Sequence, residues 1–323
     1  MEKNVGFIGL GAMGSPMAFN VRKNMPPDAT LFIYDVLVDP AERLKAACET
    51  LGPVKIAKSP REVAENALTI ISIVPAAQHV KAVYLDADSG VTAAKDATDV
   101  PTNSRRIYLE CSTIDIATAT SVGNSLKQAG MGTYVDSPVS GGVPAAERGA
   151  LSFLLGLDSN SKDRSSSDRV LSTAHYMGSP SKIFHCGGLG KGLAAKLCNN
   201  YLSCTFLLAN SEAMATGLRL GLDKHVLHKV IHESTGQNFM LDHVCPVPDV
   251  VPHAPSSNNY KLGFKAEMLV KDVGLAVDAA NSVGIKPTIG EAAMNVYRQV
   301  AVDEEYQGRD GSIVYKFLGG PDN

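Results

Sequence analysis

Three glycines constrain this chain more than any other residues. Gly9, Gly11 and Gly14 directly follow the apolar run Val5-Gly6-Phe7-Ile8 and precede a helix-forming stretch from Ser15 to about Asn24. In such a strand–turn–helix unit the first glycine permits the tight turn, the second lets the backbone approach a bound group, and the third lets helix pack on strand. The helix start also offers N–H donors to a phosphate. Met13 lies within the turn, and a second apolar run, Leu31-Phe32-Ile33-Tyr34, ends at Asp35. A carboxylate at that place accepts hydrogen bonds from ribose hydroxyls. Val5–Asp35 is therefore read as a dinucleotide-binding βαβ unit, contacted through Gly9, Gly11, Met13, Gly14 and Asp35. Because a carboxylate repels a 2′-phosphate and no arginine follows Asp35 directly, NAD is favoured over NADP. Taken singly, the same residues are an ordinary glycine turn and a turn or capping aspartate.

The alternation continues. Leu68–Val74, Arg106–Glu110 and Thr133–Asp136 read as further buried strands, with helical patterns at Arg61–Asn66 and Ala117–Ala129 between them. Strands alternating with helices predict an α/β, doubly wound parallel sheet, the Rossmann arrangement. Asp86–Ser104 and Asp158–Asp168, rich in Asp, Ser, Thr or Lys, read as surface loops dispensable for chemistry. From Leu193 to about Leu222 the chain has no proline, and Leu197, Tyr201, Leu208 and Met214 recur at helical spacing, which predicts one long helix. Further helices are expected at Asp223–Glu233, Leu262–Ser282 and Thr288–Ala301, interrupted by the Pro-rich Cys245–Pro255 loop, with no returning strand pattern. At 323 residues the chain fits two cores, divided into 1–190, nucleotide-binding, and 191–323, all-helical, joined by the long interdomain helix.

Composition narrows the partners. A net charge of -3 with 45% hydrophobic and 20% charged residues gives no field that gathers nucleic acid or anionic lipid. No apolar run approaches the roughly 20 residues of a membrane span. A soluble protein with a small, neutral-to-anionic metabolite is expected. The six scattered cysteines form no C-x-x-C pair and indicate a reducing compartment. The chain enters its first strand almost at once, so no targeting segment is expected within this sequence.

Two further segments can carry chemistry. In Asp136-Ser137-Pro138-Val139-Ser140-Gly141-Gly142 a hydroxyl stands beside two glycines, so backbone N–H groups can converge on a carboxylate; the same segment in isolation is equally a plain turn. It lacks the G-x-S-x-G spacing of a serine hydrolase. Lys196, with Asn200 one helical turn on, stands near the start of the long helix, after small residues that admit a close neighbour. Such a pair can hold and deprotonate a hydroxyl, and burial favours the neutral amine; the plainer reading is a solvated surface lysine. Lys271-Asp272 reads by itself as an exposed ionic pair. His225, His228 and His232 share a helix, but Lys229 stands where H-E-x-x-H needs glutamate, so capping or solvent-facing roles are expected and no metal.

Together these segments resemble the β-hydroxyacid dehydrogenases, and within them the 3-hydroxyisobutyrate dehydrogenases, over nearly the whole chain. The resemblance rests on Val5–Gly14, Tyr34-Asp35-Val36, Asp136–Gly142, Gly190–Asn200, Pro246-Val247-Pro248, Asn258-Asn259-Tyr260 and Lys271–Ala276. It implies that Lys196 is the catalytic acid/base, that Asn200 and the Ser140-Gly141-Gly142 turn hold the substrate, and that Val74, Pro75, His79 and Thr113 line the nicotinamide side. It also implies that Lys271 closes over the cofactor, and that the chain forms a homodimer or homotetramer. Departures from the family pattern are Glu110-Cys111 for Asp-Ser, His79 for asparagine, Phe239 for tryptophan and a longer Asp86–Ser104.

The implied reaction is NAD-dependent oxidation of the primary alcohol of (S)-3-hydroxyisobutyrate, or a similar short β-hydroxyacid, to methylmalonate semialdehyde in valine catabolism. Mitochondrial residence would follow in a eukaryote, and a cytoplasmic one otherwise. A tartronate semialdehyde or other short hydroxyacid reductase shares the same machinery, and a catalytically silent NAD-binding sensor is the alternative from another class. The helical region is short for a 6-phosphogluconate dehydrogenase, and imine reductases usually lack the lysine.

Overall fold

A computed structural model describes residues 3–97, 100–160, 163–261 and 263–321. By its contacts the chain divides into Met1–Lys196 and Leu197–Asn323. The division falls inside the helix Lys191–Arg219, past the 190/191 boundary expected from texture. The first turn of that helix belongs to the first unit because Leu193 is fully buried in its core and Gly190 and Leu193 donate to Asp136.

In the first unit, β1 (Val5–Ile8), β2 (Leu31–Tyr34), β3 (Val54–Ile56), β4 (Thr69–Ser72), β5 (Ile107–Glu110) and β6 (Thr133–Asp136) form one all-parallel sheet in the order β3-β2-β1-β4-β5-β6. This is the doubly wound Rossmann order, reversing direction between β1 and β4. The two-residue period of the strands sorts their side chains onto two cores. Phe7, Leu31, Ile33, Ile71, Leu109 and Val135 enter one. Ile8, Phe32, Ile70, Tyr108 and Tyr134 enter the other. Both faces are buried, so the strands read as apolar runs and not as alternating ones. Helices begin where side chains cap them: Ser59 Oγ accepts from Glu62 N, and Asp115 accepts from Thr118 N.

Three features differ from expectation. The edge strand β3 is only three residues long, too short to carry a pattern. A second, three-stranded sheet joins β7 (Val139–Ser140), β8 (Leu151–Leu155) and β9 (Gly178–His185), with β7 and β8 antiparallel and β8 and β9 parallel. Its apolar face, Val139, Leu151, Phe153 and Leu155, completes the first core. Third, Asp86–Ser104 is not a plain surface loop. Val91–Ala97 is a 3-10 helix whose Val91 and Ala94 are fully buried, and Val100–Ser104 is helical; residues 98 and 99 of this predicted loop lie outside the described residues. Likewise Asp163 caps a helix, Arg164–His175, that begins within the predicted loop Asp158–Asp168, whose residues 161 and 162 lie outside the described residues.

The second unit is helical. Beyond the remainder of the long helix it holds Lys224–His232, Phe239–Val244, Ala266–Ser282, Thr288–Val302 and Val314–Phe317. The predicted onset at Leu262 lies outside the described residues. Among those described, the unit's one β contact is the bridge Lys265–Asp310. Gly290 lets the helix Thr288–Val302 approach Tyr201, since a Cβ there would stand 2.5 Å from the ring, and Tyr201 OH accepts from Gly290 N at 3.0 Å. No helix among the described residues is long and apolar enough to cross a membrane.

Candidate active site

The chemistry-bearing residues of the first unit follow the carboxyl ends of the parallel strands, as in other doubly wound sheets. After β1, Gly9 takes φ +92°, and a Cβ there would stand 2.1 Å from Ile73 O. A Cβ on Gly14 would stand 1.9 Å from Gly9 O, so this glycine brings the helix Gly14–Asn24 against the turn. A Cβ on Gly11 would meet nothing within 4 Å. That open, exposed backbone leaves room for a bound group, while Gly9 and Gly14 hold the turn's shape.

After β2, Asp35 Oδ2 accepts from Leu10 N at 2.6 Å and Oδ1 from Leu37 N at 2.9 Å. The carboxylate thus ties itself to the glycine turn, and each oxygen retains a lone pair for a further donor. Val36, Leu37 and Val38 beyond it are 83%, 64% and 66% exposed, so an apolar surface and no cation follows the carboxylate in the chain.

After β4 and β5, the half-buried Val74 and Thr113 and the exposed Pro75 lie on adjacent strand ends. Val74 N donates to Ser112 Oγ at 2.7 Å, which joins those ends directly. Behind them Glu110 is buried: Ser72 Oγ donates to Oε2 at 2.5 Å, Ser112 N donates to Oε1 at 2.8 Å, and Ser72 Oγ also bonds Tyr84 OH at 2.6 Å. Burial pushes the Glu110 carboxyl up from 4.5 to about 7, against the pull of these hydrogen bonds. His79 is an exposed residue of the helix Ala77–Leu85.

After β6 the chain enters β7, whose Ser140 pairs with Ser152 of β8. Gly141 and Gly142 are exposed and take φ +129° and +63°, conformations that side chains disfavour. Lys196 is 8% exposed, so it is not the solvated lysine of the plainer reading. Asn200 follows one turn later on the same helix and is 7% exposed.

In the second unit, Asn200 Nδ2 donates to Asp272 Oδ2 at 2.7 Å, and Lys271 Nζ stands 3.2 Å from Asp272 Oδ1. Asp272 is 3% exposed, which corrects the expectation of an exposed ionic pair. It is a buried carboxylate that holds two of the candidate residues at once. On the helix Lys224–His232, His228 and His232 stack with ring centroids 6.2 Å apart, and His232 Nδ1 is 2.8 Å from Asp242 Oδ1.

Residues 4–177 match the family model described as the NAD binding domain of 6-phosphogluconate dehydrogenase. Residues 190–318 match the model described as NAD-binding of NADP-dependent 3-hydroxyisobutyrate dehydrogenase. The mitochondrial 3-hydroxyisobutyrate dehydrogenase of Mus musculus is 36% identical over 97% of this chain and 86% of its own. The chain belongs to the β-hydroxyacid dehydrogenase family. Another relative, the NAD-dependent L-serine dehydrogenase of Pseudomonas aeruginosa, is 35% identical over 98% of both chains. Among solved structures, a Mycobacterium tuberculosis 3-hydroxyisobutyrate dehydrogenase with L-serine aligns at a TM-score of 0.82 and 30% identity, covering 98% of this chain and 99% of that one.

As a β-hydroxyacid dehydrogenase, the chain is an oxidoreductase with an NAD(P)-binding Rossmann domain, and the glycine turn with Asp35 fits that cofactor. Sequence reasoning missed three carboxylates. Asp272 was visible as one half of a charged pair. Glu110 and Asp136 had a weaker signal: each is an acid closing an apolar strand, where burial requires a dedicated set of donors.

Proposed function

We propose that this β-hydroxyacid dehydrogenase oxidises the terminal CH₂OH of a short β-hydroxyacid, (S)-3-hydroxyisobutyrate in the first instance, to the semialdehyde with NAD. The observation that carries the reading is the burial of Lys196 on the helix whose start is bonded to Asp136 at the end of β6. A lysine amine in this place is the group that would take the hydroxyl proton. The Ser140 hydroxyl and the backbone of Gly141 and Gly142 bind the substrate carboxylate, and Asn200, oriented by Asp272, holds the hydroxyl end. NAD, when bound, accepts the hydride at nicotinamide C4. Val74, Pro75, His79 and Thr113 would line the nicotinamide side, and Lys271 would be a further residue holding the cofactor. Much of the rate comes from holding the reacting carbon at a fixed angle. Asp35, with no basic residue at 36–38, supports NAD over NADP, because it accepts from a 2′-hydroxyl and repels a 2′-phosphate.

L-Serine is the second reading. It is supported by the serine dehydrogenase relative and by L-serine in the Mycobacterium tuberculosis structure. Both substrates present a CH₂OH two carbons from a carboxylate, so the same residues serve either. The test is a spectrophotometric panel of NAD and NADP with 3-hydroxyisobutyrate, 3-hydroxypropionate, glycerate and L-serine. The expected result is the highest kcat/KM with 3-hydroxyisobutyrate and NAD, and a loss of about 10²–10⁴-fold in Lys196→Ala. Asp35→Ala should weaken NAD roughly tenfold and NADP less. Near-full turnover in Lys196→Ala refutes the mechanism, a higher kcat/KM with serine replaces the substrate, and NADH binding without any turnover indicates a sensor.

A further inference from the structure

A helix start is usually capped by the residue just before it, and such a cap stabilises the helix without fixing where it lies. Here the residue before Lys191 is Gly190, which has no side chain, and the cap comes from 54 residues away. Asp136, the last residue of β6, is fully buried; its Oδ1 accepts from Gly190 N at 2.7 Å and its Oδ2 from Leu193 N at 2.8 Å. Two charge-assisted bonds from one rigid carboxylate fix both the depth and the rotation of the helix start. Two glycines close the fit. A Cβ on Gly156 would stand 1.9 Å from Asp136 Oδ1, and one on Gly192 would stand 2.2 Å from Leu154 O and 2.7 Å from Asp136 O. The carboxylate has one position and the first helical turn one depth. Lys196 comes one turn after Leu193 on this helix, and Ser140 lies four residues after Asp136 in the chain.

We propose that Asp136 is a positioning residue for the reaction: it pins the start of the Lys196 helix to the end of β6, and so sets the reach of Lys196 toward a substrate held at Ser140–Gly142. The proposal rests on the reading of Lys196 as the acid/base. It explains why a carboxylate is buried at this strand end, where an apolar side chain would fill space without directing a helix.

The test compares wild type, Asp136→Asn, Lys196→Ala and the double variant, as full-length chains with NAD and 3-hydroxyisobutyrate or L-serine, whichever the wild type turns over faster. Rates are taken per NADH-binding site, counted by fluorescence titration, so that misfolded protein does not enter. Gly190→Ala is made beside them. It strains the same junction without touching a charge, because φ at 190 is +86° and the new Cβ would meet Ile116 and Thr120 at 3.0 and 3.2 Å. Asp136→Asn should lower kcat about 10–100-fold, the cost of a misplacement near 1 Å, with NADH affinity within about twofold of wild type. In the Lys196→Ala background the same substitution should change the residual rate less than about twofold, because residues acting as one unit are not additive. Gly190→Ala should lower kcat in the same direction, and it carries the test if Asp136→Asn does not fold. Unchanged kcat in the single variants, or an equal loss from Asp136→Asn with and without Lys196, overturns the proposal. Near-full turnover in Lys196→Ala alone overturns the acid/base reading and this proposal with it; the single variants tell the two failures apart.

Discussion

Replacing Glu110 by glutamine should make the protein's stability less sensitive to pH. The carboxyl is fully buried at the end of β5, and the groups that bond it, Ser72 Oγ and Ser112 N, are neutral. Tyr84 from the helix Ala77–Leu85, Tyr134 from β6 and Cys111 have pKa values raised by burial first and by the charge of Glu110 second. Burial raises Glu110 from 4.5 in the unfolded chain to about 7. Because the folded value is the higher one, the unfolded state loses this proton first. Stability is fully present below 4.5, declines as the pH rises and is lost through about 7. A separation of about 2.5 pK units corresponds to about 3 kcal/mol in total, of which about 2 kcal/mol falls between pH 5.5 and 8.5. Glutamine keeps an acceptor for Ser112 N and, like the protonated acid, offers a donor to Ser72, but it does not titrate. Guanidinium unfolding at the two pH values, followed by tyrosine fluorescence since the chain has no tryptophan, measures the difference. The wild type should lose about 2 kcal/mol more than Glu110→Gln on going from pH 5.5 to 8.5. Identical pH dependence in both proteins, or a steeper one in the variant, refutes the argument.

Two other substitutions separate structure from function. Gly11→Ala adds a Cβ that meets nothing within 4 Å, at a backbone that is not left-handed, so unfolding free energy should stay within about 0.5 kcal/mol of wild type while NADH binding weakens at least about tenfold; unaltered NADH binding would remove the pyrophosphate from this turn. Asp272→Ala strips Asn200 Nδ2 and Lys271 of their shared partner, so the hydroxyacid KM should rise several-fold and stability fall by about 1–3 kcal/mol; a stability loss with unchanged KM and kcat would make the carboxylate structural alone.

The large sheet was legible because burial on both faces leaves strands as dense apolar runs, and because the glycine turn identifies its first crossing. The long helix was legible from an unbroken 3.6-residue period. What was not legible depends on neighbours remote in sequence. Strand β9, Gly178–His185, carries Ser, Pro, Lys and His and is mostly exposed, so its strand character comes from pairing with β8 and not from its composition. The segment 86–104 reads as a loop from its Asp, Thr and Ser content, yet two of its residues, Val91 and Ala94, enter the core. Two apolar residues among many polar ones do not make a period.

The site divides along the same line. Gly9, Gly11, Gly14, Asp35, Val74, Thr113 and Ser140 each lie one to six residues past the carboxyl end of a strand, so strand pattern and motif locate them together. The carboxylates that organise them could not be located in that way. Glu110 and Asp136 are register partners at the ends of neighbouring strands β5 and β6, but their bonds run apart. Glu110 reaches back to Ser72 on β4 and ties the ends of β4 and β5 together through Ser112 and Val74. Asp136 reaches forward to the helix of Lys196. Neither partner set is visible as a spacing in the chain, since the separations are 38 and 54 residues and are set by the sheet. An acid that ends an apolar strand of a parallel sheet is therefore a sequence signal in itself: burial there obliges the fold to supply donors, and at this edge of the sheet the donors belong to the loops and helix to which the proposed chemistry is assigned.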